Sequence, residues 1–345
     1  MDATSGTPRQ NVKRKYTWLA GAVVLGVALW SGVWHYGRSV IAHELDAELT
    51  RLSIAGIEIG CAQREISGYP FRYDLSCQQL RAADGIGFSA QLAELRAVAL
   101  MYNPRHIILE ADGPAVAGEP RSGTGAELTF ETARSSVMFS GAGPDKVDAV
   151  LQGPVLTAFN GTASVRVTSD KSELHLRTVP DAPQNLDAFV SADGLDLTSL
   201  SPDLPEFDAK LHIRVPNGTP LLAGRPLAYL PRAADGSLPV EVRLASMTSG
   251  TASVSATGEL RLKPGGHVSG ELDVQLTGVD RIADLLSDIA PAASALPATL
   301  QSAAQAMNGG ETGETIRLPL TIQDGVVRVG LLPIGQLAPV HVPGF

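Results

Sequence analysis

The chain has few aromatic residues, only two cysteines and no recognisable catalytic motif. Phe, Trp and Tyr together make up 5% of its 345 residues. Neither the Gly-x-Ser-x-Gly sequence of a nucleophile elbow nor a Walker phosphate-binding sequence occurs. Carboxylates are scattered along the chain, so no pair of them is marked for acid and base catalysis. We therefore expect a protein that is not an enzyme and that uses no cofactor.

Histidine is scarce as well, and its spacing predicts no metal site. None of the seven histidines lies at metal-ligand spacing from another histidine, a cysteine or a carboxylate. They are His35, His43, His106, His175, His212, His267 and His341. We expect each to be an ordinary structural or surface residue.

Basic residues are too few for a nucleic-acid-binding protein. The chain has a formal net charge of −9. Residues 1–37 carry +3, which leaves −12 for the rest of the chain. Nucleic-acid binding depends on the neutralisation of phosphates by Lys and Arg. We therefore exclude nucleic acid as a partner.

One long stretch lacks charge altogether. Residues 16–36, YTWLAGAVVLGVALWSGVWHY, are 21 consecutive residues without Lys, Arg, Asp or Glu. As a helix this stretch is about 30 Å long, which matches the hydrocarbon core of a bilayer. We predict a cytoplasmic basic tail at 1–15, a transmembrane helix at 16–37 and an amphipathic stalk helix at 38–53. Because basic residues precede the helix, the domain at 54–345 is predicted to be periplasmic.

A cleaved signal peptide is the alternative interpretation of the same stretch. Ala20-Gly21-Ala22 supplies the small residues that such cleavage requires. However, the apolar run is longer than a usual signal core, and no small-x-small pair follows it. We favour the uncleaved anchor, a single-pass helix with the lipid bilayer as its partner.

The composition after the helix favours sheet. The chain has 35 Gly and 23 Pro, and runs such as Leu128, Phe130 and Thr132 alternate with the period of two of half-buried strands. We predict a mainly β fold, a large curved antiparallel sheet shaped as a half-barrel or groove. Prolines within 188–230 predict a connection there and leave open whether the sheet has one lobe or two. Helical spacing within 280–307 predicts a short helical cap.

The two cysteines flank a turn signal. Gly68-Tyr69-Pro70 lies midway between Cys61 and Cys77, so a hairpin that folds there sets the two sulfurs opposite each other. A bulge near Gln63 would shift this register by one residue. We predict a disulfide, with two buried thiols as the alternative.

The strand after this turn carries the most specific local pattern. Phe71 and Tyr73 share one face of it, whereas Arg72 and Asp74 share the other and form a polar pair. A later strand places three aliphatic residues on one face. Leu272, Val274 and Leu276, together with Phe71 and Tyr73, are our candidates for the wall of a groove or of a filled core.

Three motifs and the N-terminal anchor carry a family resemblance. The motifs are GYPFRYDLSC, YNPRHIILEADGP and LPLTIQDGVVRVGLLPIGQLAPV, in this order. Together they resemble the domain-of-unknown-function 2125 family of bacterial envelope proteins over nearly the whole chain. The closing segment is also similar in setting to the C-terminal strands of AsmA-like envelope proteins, which are β-rich grooves linked to lipid transport. The resemblance implies an inner-membrane protein and supplies no catalytic residue.

The leading functional hypothesis is therefore a periplasmic sheet, anchored in the bacterial inner membrane, that binds or guides a lipid in an apolar groove. A phospholipid is the ligand that this hypothesis implies. The alternative is a non-catalytic envelope scaffold that docks a partner protein. The two differ in whether the inner face of the sheet is open or filled with side chains.

Overall fold

The computed structural model describes residues 10–119, 121–141, 143–278 and 315–340. Its first element is one continuous helix, α1 (Gln10–Ile54). This helix contains both the predicted transmembrane helix and the predicted stalk, with no break between them. It is long and apolar enough to cross a membrane, and a signal sequence meets the same two criteria. The predicted helical cap at 280–307 lies outside the described residues.

Nineteen strands and two short 3-10 helices follow within the described residues. The strands are β1 (Ile57–Gly60), β2 (Gln63–Ser67), β3 (Arg72–Asp84), β4 (Ser89–Leu100), β5 (Asn103–Glu119), β6 (Thr124–Thr129), β7 (Thr132–Ser140), β8 (Gly143–Gln152), β9 (Val155–Asn160), β10 (Ala163–Thr168), β11 (Lys171–Val179), β12 (Ala182–Leu195), β13 (Phe207–Val215), β14 (Leu238–Ser249), β15 (Ala252–Leu262), β16 (Val268–Thr277), β17 (Thr315–Gln323), β18 (Val326–Val329) and β19 (Leu332–Gln336). The 3-10 helices are Thr219–Ala223 and Leu227–Tyr229.

All nineteen strands belong to one antiparallel sheet, which confirms the predicted fold class. The sheet branches at β5, where residues 106–111 pair with β7 and residues 115–119 pair with β6. The branch continues from β6 to β9 and β10. On the main path β8 pairs directly with β11. Neighbouring strands therefore follow one another without a gap from β3 through β5, β7, β8 and β11 to β19.

The region 188–230 differs from its sequence-based prediction. We predicted a connection there, but β12 and β13 are strands that pair with each other and continue the sheet into β14. The sheet therefore passes through the predicted lobe boundary without interruption. The prolines that suggested a connection lie between β12 and β13 or after β13, where no ladder hydrogen bond is needed from them. They are Pro202, Pro205, Pro216, Pro220 and Pro226.

Two clusters of buried apolar side chains lie in the later half of the sheet. The first joins β16, β17 and β18 through Val274, Leu276, Ile316, Leu318 and Val329. The second consists of Leu186, Val215, Leu230 and Leu238, and side chains of both 3-10 helices pack against it. Leu186 and Val215 lie opposite each other in β12 and β13, so the second cluster covers one end of the middle strands.

Candidate functional site

Paired side chains of twelve neighbouring strands form an apolar row across one face of the sheet. Directly opposite residues of an antiparallel pair point to the same face. From Leu75 in β3 onwards, each residue of the row lies opposite the next one in the neighbouring strand. The apolar row consists of Leu75, Ala97, Leu109, Ser135, Ala149, Leu174, Val190, Leu211, Ala245, Ala256, Val274 and Leu318. Ser135 is its one polar member.

The residues next to these in the chain form a polar row on the opposite face. It crosses the same twelve strands in the same pairing order. The polar row consists of Ser76, Arg96, Glu110, Arg134, Val150, Glu173, Ser191, Lys210, Ser246, Ser255, Gln275 and Arg317. Val150 is its one apolar member. The sheet therefore has an apolar face and a charged face.

Two further rows widen the apolar face on either side of the apolar row. One begins at Tyr73 and continues through Ala99, Ile107, Val137, Val147, Leu176, Ala188, Ile213 and Val242. The other begins at Cys77 and continues through Leu95, Ala111, Ala133, Leu151, Ser172, Ala192, Ala209, Met247, Val254, Leu276 and Ile316. The apolar face is thus at least three residues wide along most of its length.

The apolar row is exposed in its middle and buried at its far end, while Leu176 and Ile213 of a neighbouring row pack against the second buried cluster. Val190 and Leu211, near the centre of the apolar row, are 45% and 42% exposed. Leu318, at the far end, is only 2% exposed because it belongs to the first buried cluster. Exposed aliphatic side chains in a continuous row form an apolar surface. Burial of another apolar group against this surface lowers the free energy.

The apolar row is longer than one lipid tail. Eleven steps between neighbouring strands, at about 4.8 Å each, give a length of roughly 50 Å along the sheet. One leaflet of a bilayer has a hydrocarbon thickness of about 15 Å. The apolar row is therefore longer than the hydrocarbon thickness of one leaflet.

Ion pairs connect strands across the charged face. Arg96 Nε donates a hydrogen bond of 2.7 Å to Asp74 Oδ1, and Arg96 also lies 3.6 Å from Glu110. Glu110 in turn lies 3.4 Å from Arg134. The hydrogen bond from Arg96 lowers the pKa of the buried Asp74 carboxyl, and this effect outweighs the opposing effect of burial. Asp74, Arg96, Glu110 and Arg134 are therefore partnered with one another across four strands of the sheet.

A second group of charges lies further along the same face. Arg214 donates two hydrogen bonds to the buried Asp187 carboxylate, of 2.7 Å from Nε and 3.0 Å from Nη2. These bonds lower the pKa of Asp187. His175 Nδ1 lies 2.7 Å from Asp148 Oδ1 in the neighbouring strand. Over the described part of the chain, no three His, Cys, Asp or Glu side chains come together as a metal site.

The hairpin of β2 and β3 packs against α1. Trp34 is buried and donates a hydrogen bond of 2.9 Å from Nε1 to the carbonyl of Arg72. One turn earlier in the helix, Trp30 Nε1 donates a bond of 2.8 Å to the carbonyl of Pro70. Further along, Asp46 forms an ion pair of 2.7 Å with Arg64 of β2. The apolar face therefore begins directly beside the helix.

The structure separates the predicted wall residues into two groups. Phe71 is exposed, and its ring centroid lies 6.3 Å from that of Trp30 in α1. Tyr73 is half-buried and stacks on Trp34, so both aromatic residues contact the helix. The other three, Leu272, Val274 and Leu276, lie together in or against the first buried cluster, ten strands away along the main path.

The predicted polar pair is present, but its stronger partner was missed. Arg72 lies 3.5 Å from Asp74, as the strand pattern predicted. Arg96 of β4 binds the same carboxylate more closely, through a hydrogen bond of 2.7 Å. Arg96 is 22 residues away in the chain, and only the pairing of β3 with β4 brings it to Asp74.

Cys61 and Cys77 are joined by a disulfide, with Cα atoms 5.4 Å apart. The predicted reason for their proximity is wrong, because Arg64 and not Cys61 lies opposite Cys77. The register is shifted by three residues, since the turn is centred one to two residues later than we predicted. Cys61 lies in the gap between β1 and β2, and its side chain reaches Cys77 from there.

These features define a class of protein: an open antiparallel sheet with one apolar and one charged face, packed on a long apolar N-terminal helix. The chain belongs to the family DUF2125, described as an uncharacterized protein conserved in bacteria, whose model matches residues 34–338. This confirms the family resemblance of the three motifs. Comparisons with curated proteins and with solved structures found no match.

Proposed function

We propose that this protein is a single-pass membrane protein of the bacterial envelope that binds a phospholipid and guides its acyl chains along the apolar face. The observation that carries the proposal is the apolar row, which continues across twelve strands from the helix-bound hairpin. An apolar face of this length that stays open to solvent in its middle is rare on a soluble protein without an apolar ligand.

The proposal places α1 in the inner membrane as an uncleaved anchor. Cleavage after Ala22 would leave residues 23–33 as an exposed apolar helix with no contact to the sheet at most of its positions. Val23, Leu25, Val27 and Leu29 are all more than half exposed. Such a surface is stable in a bilayer and unfavourable in water. With the basic residues on the cytoplasmic side, the sheet then lies in the periplasm.

Photo-crosslinking tests this function on the full chain in its own membrane. Replacing Leu211 by p-benzoylphenylalanine puts a photoreactive group on the apolar face. The matched control is Lys210 replaced in the same way, because this residue is its neighbour in β13, is also exposed and points to the charged face. After irradiation, mass spectrometry should detect a phospholipid adduct on the protein labelled at 211 and none on the protein labelled at 210.

Two results would overturn the proposal. Absence of a lipid adduct at 211, or equal adducts at both positions, would show that the apolar face does not select lipid. An adduct at 211 with another protein would favour the alternative function, a scaffold that docks a partner. That alternative uses the same exposed face, so the crosslinked species decides between the two.

A further inference from the structure

The two turns at one end of β3, β4 and β5 carry exposed aromatic residues that neither the sheet nor the helix buries. The first turn, 68–71, contains Tyr69 and Phe71, and the second, 101–102, contains Tyr102. Phe71 is 62% exposed and Tyr102 is 72% exposed. Met101 N donates a hydrogen bond of 3.0 Å to the carbonyl of Phe71, so the two turns are held together as one surface.

The position of this surface along α1 is fixed by hydrogen bonds. Trp30 Nε1 donates to the carbonyl of Pro70, and Ser31 Oγ lies 2.8 Å from the hydroxyl of Tyr69. Both helix residues belong to the uncharged stretch, which ends at Tyr36. At 1.5 Å per residue, Trp30 lies about 9 Å inside the end of that stretch. The turn 68–71 lies at the same depth, and the turn 101–102 is bonded to it.

We propose that the turns 68–71 and 101–102 are inserted into the bilayer, in the leaflet on the side where the sheet lies. A helix that fills the bilayer with residues 16–36 carries the turn 68–71 into this leaflet, because hydrogen bonds to Trp30 and Ser31 hold it there. The turn 101–102 follows, since Met101 is bonded to Phe71. Phe71 suits contact with acyl chains at this depth, and a Tyr side chain combines an apolar ring with a polar tip that reaches towards the headgroups. Arg72 follows Phe71 with half of its side chain exposed, at the height where a guanidinium meets lipid phosphate.

This insertion deepens the proposed function and rests on its membrane anchor. It brings acyl chains to the end of β3 at which Tyr73 begins one of the apolar rows. The turns would then be the place where a lipid passes between the bilayer and the apolar face. Insertion of the turns and binding of lipid at the centre of the sheet are nevertheless separate properties with separate measurements.

Fluorescence quenching tests the insertion on the full chain. Phe71→Cys and Tyr102→Cys, each labelled with the dye NBD without reductant, place a probe in each turn, and the two native cysteines stay in their disulfide. Ile86→Cys is the matched control, because Ile86 is 86% exposed in the turn at the other end of β3 and β4, about 40 Å away. The proteins are reconstituted in vesicles of phosphatidylethanolamine and phosphatidylglycerol that contain doxyl-labelled phosphatidylcholine.

We expect at least twofold quenching at positions 71 and 102 and no quenching at 86. Quenching at 71 and 102 no greater than at 86 would overturn the insertion. If the probes are quenched but Leu211 gives no lipid crosslink, the insertion stands and the lipid-guiding function fails. If position 211 crosslinks to lipid while the probes are not quenched, the lipid-guiding function stands and the insertion fails.

Discussion

The indole of Trp34 stacks on the phenol ring of Tyr73, with the ring centroids 5.8 Å apart and the planes 20° from parallel. One residue belongs to α1 and the other to β3, so this contact joins the helix to the sheet. Gly37 makes the close approach possible, because a Cβ atom at this position would overlap the hydroxyl of Tyr73. This contact between the helix and the sheet thus depends on one position without a side chain.

We predict that Gly37→Leu separates the β2–β3 hairpin from α1. A leucine side chain cannot fit between the helix and Tyr73, while the helix itself tolerates leucine well. Hydrogen exchange of residues 69–75 should increase in the variant. Gly26→Leu is the control, since nothing lies within 4 Å of a Cβ at Gly26 and the same substitution there should leave exchange unchanged. Equal exchange in the two variants would refute this role of Gly37.

We predict that loss of the disulfide lowers the free energy of unfolding by about 3 kcal/mol, since the bond closes a loop of 16 residues. The double variant Cys61→Ser, Cys77→Ser should unfold at a lower urea concentration than the oxidised protein. Addition of reductant should lower the midpoint of the wild-type protein to that of the variant. An unchanged midpoint in both experiments would contradict the prediction.

We predict that Asp187→Asn removes the part of the folding stability that depends on the ionised Asp187 carboxylate. The folded-state pKa of Asp187 is lowered by Arg214, so the ion pair stabilises the protein fully above the unfolded-state pKa of about 4. This contribution is lost as the pH falls through the lower, folded-state pKa. The variant should be less stable by about 2 kcal/mol in urea unfolding at pH 7, and the difference should shrink below pH 4.

The control for this experiment is Asp181→Asn, because Asp181 is exposed in the turn between β11 and β12. This variant should follow the wild-type stability at each pH. A difference for Asp187→Asn that stays constant between pH 7 and pH 3 would mean that the charge of Asp187 is not what stabilises the sheet.

We predict that the apolar row responds unequally to truncation along its length. Leu318→Ala should cost about 3 kcal/mol, since Leu318 is 2% exposed and its removal leaves a cavity. Leu211→Ala should cost less than about 1 kcal/mol, because Leu211 is 42% exposed and water fills the space. Urea unfolding in detergent without lipid compares the two. Similar losses would indicate that the middle of the face is a filled core.

The sequence predicts the local features of this fold well. The uncharged run 16–36 defines the helix, and alternation with turn residues defines the strands. Both signals depend on neighbours within a few residues. The mainly β class and a large antiparallel sheet follow from them, whereas the continuity of the sheet through 188–230 does not.

Contacts between distant residues were not accessible in this way. The pairing of β8 with β11 passes over two strands, and Arg96 reaches Asp74 only through the register of β3 and β4. The contact of Trp34 with Tyr73 was also not predictable. Trp34 lies in an uncharged run, where a tryptophan that faces lipid and one that contacts the sheet look the same in sequence. The apolar row itself is the result of eleven such registers, each fixed by the pairing of whole strands.

The length of the apolar row is set by the number of strands in the main path. Almost every strand of the main path pairs with its predecessor, so a chain gains length along the row by adding one hairpin, about 10 Å at a time. An added hairpin contains two strands. It leaves the existing strand pairs unchanged, and each side chain still points to the same face of the sheet. A longer chain of this design would then have a longer apolar row while keeping the same attachment to the helix.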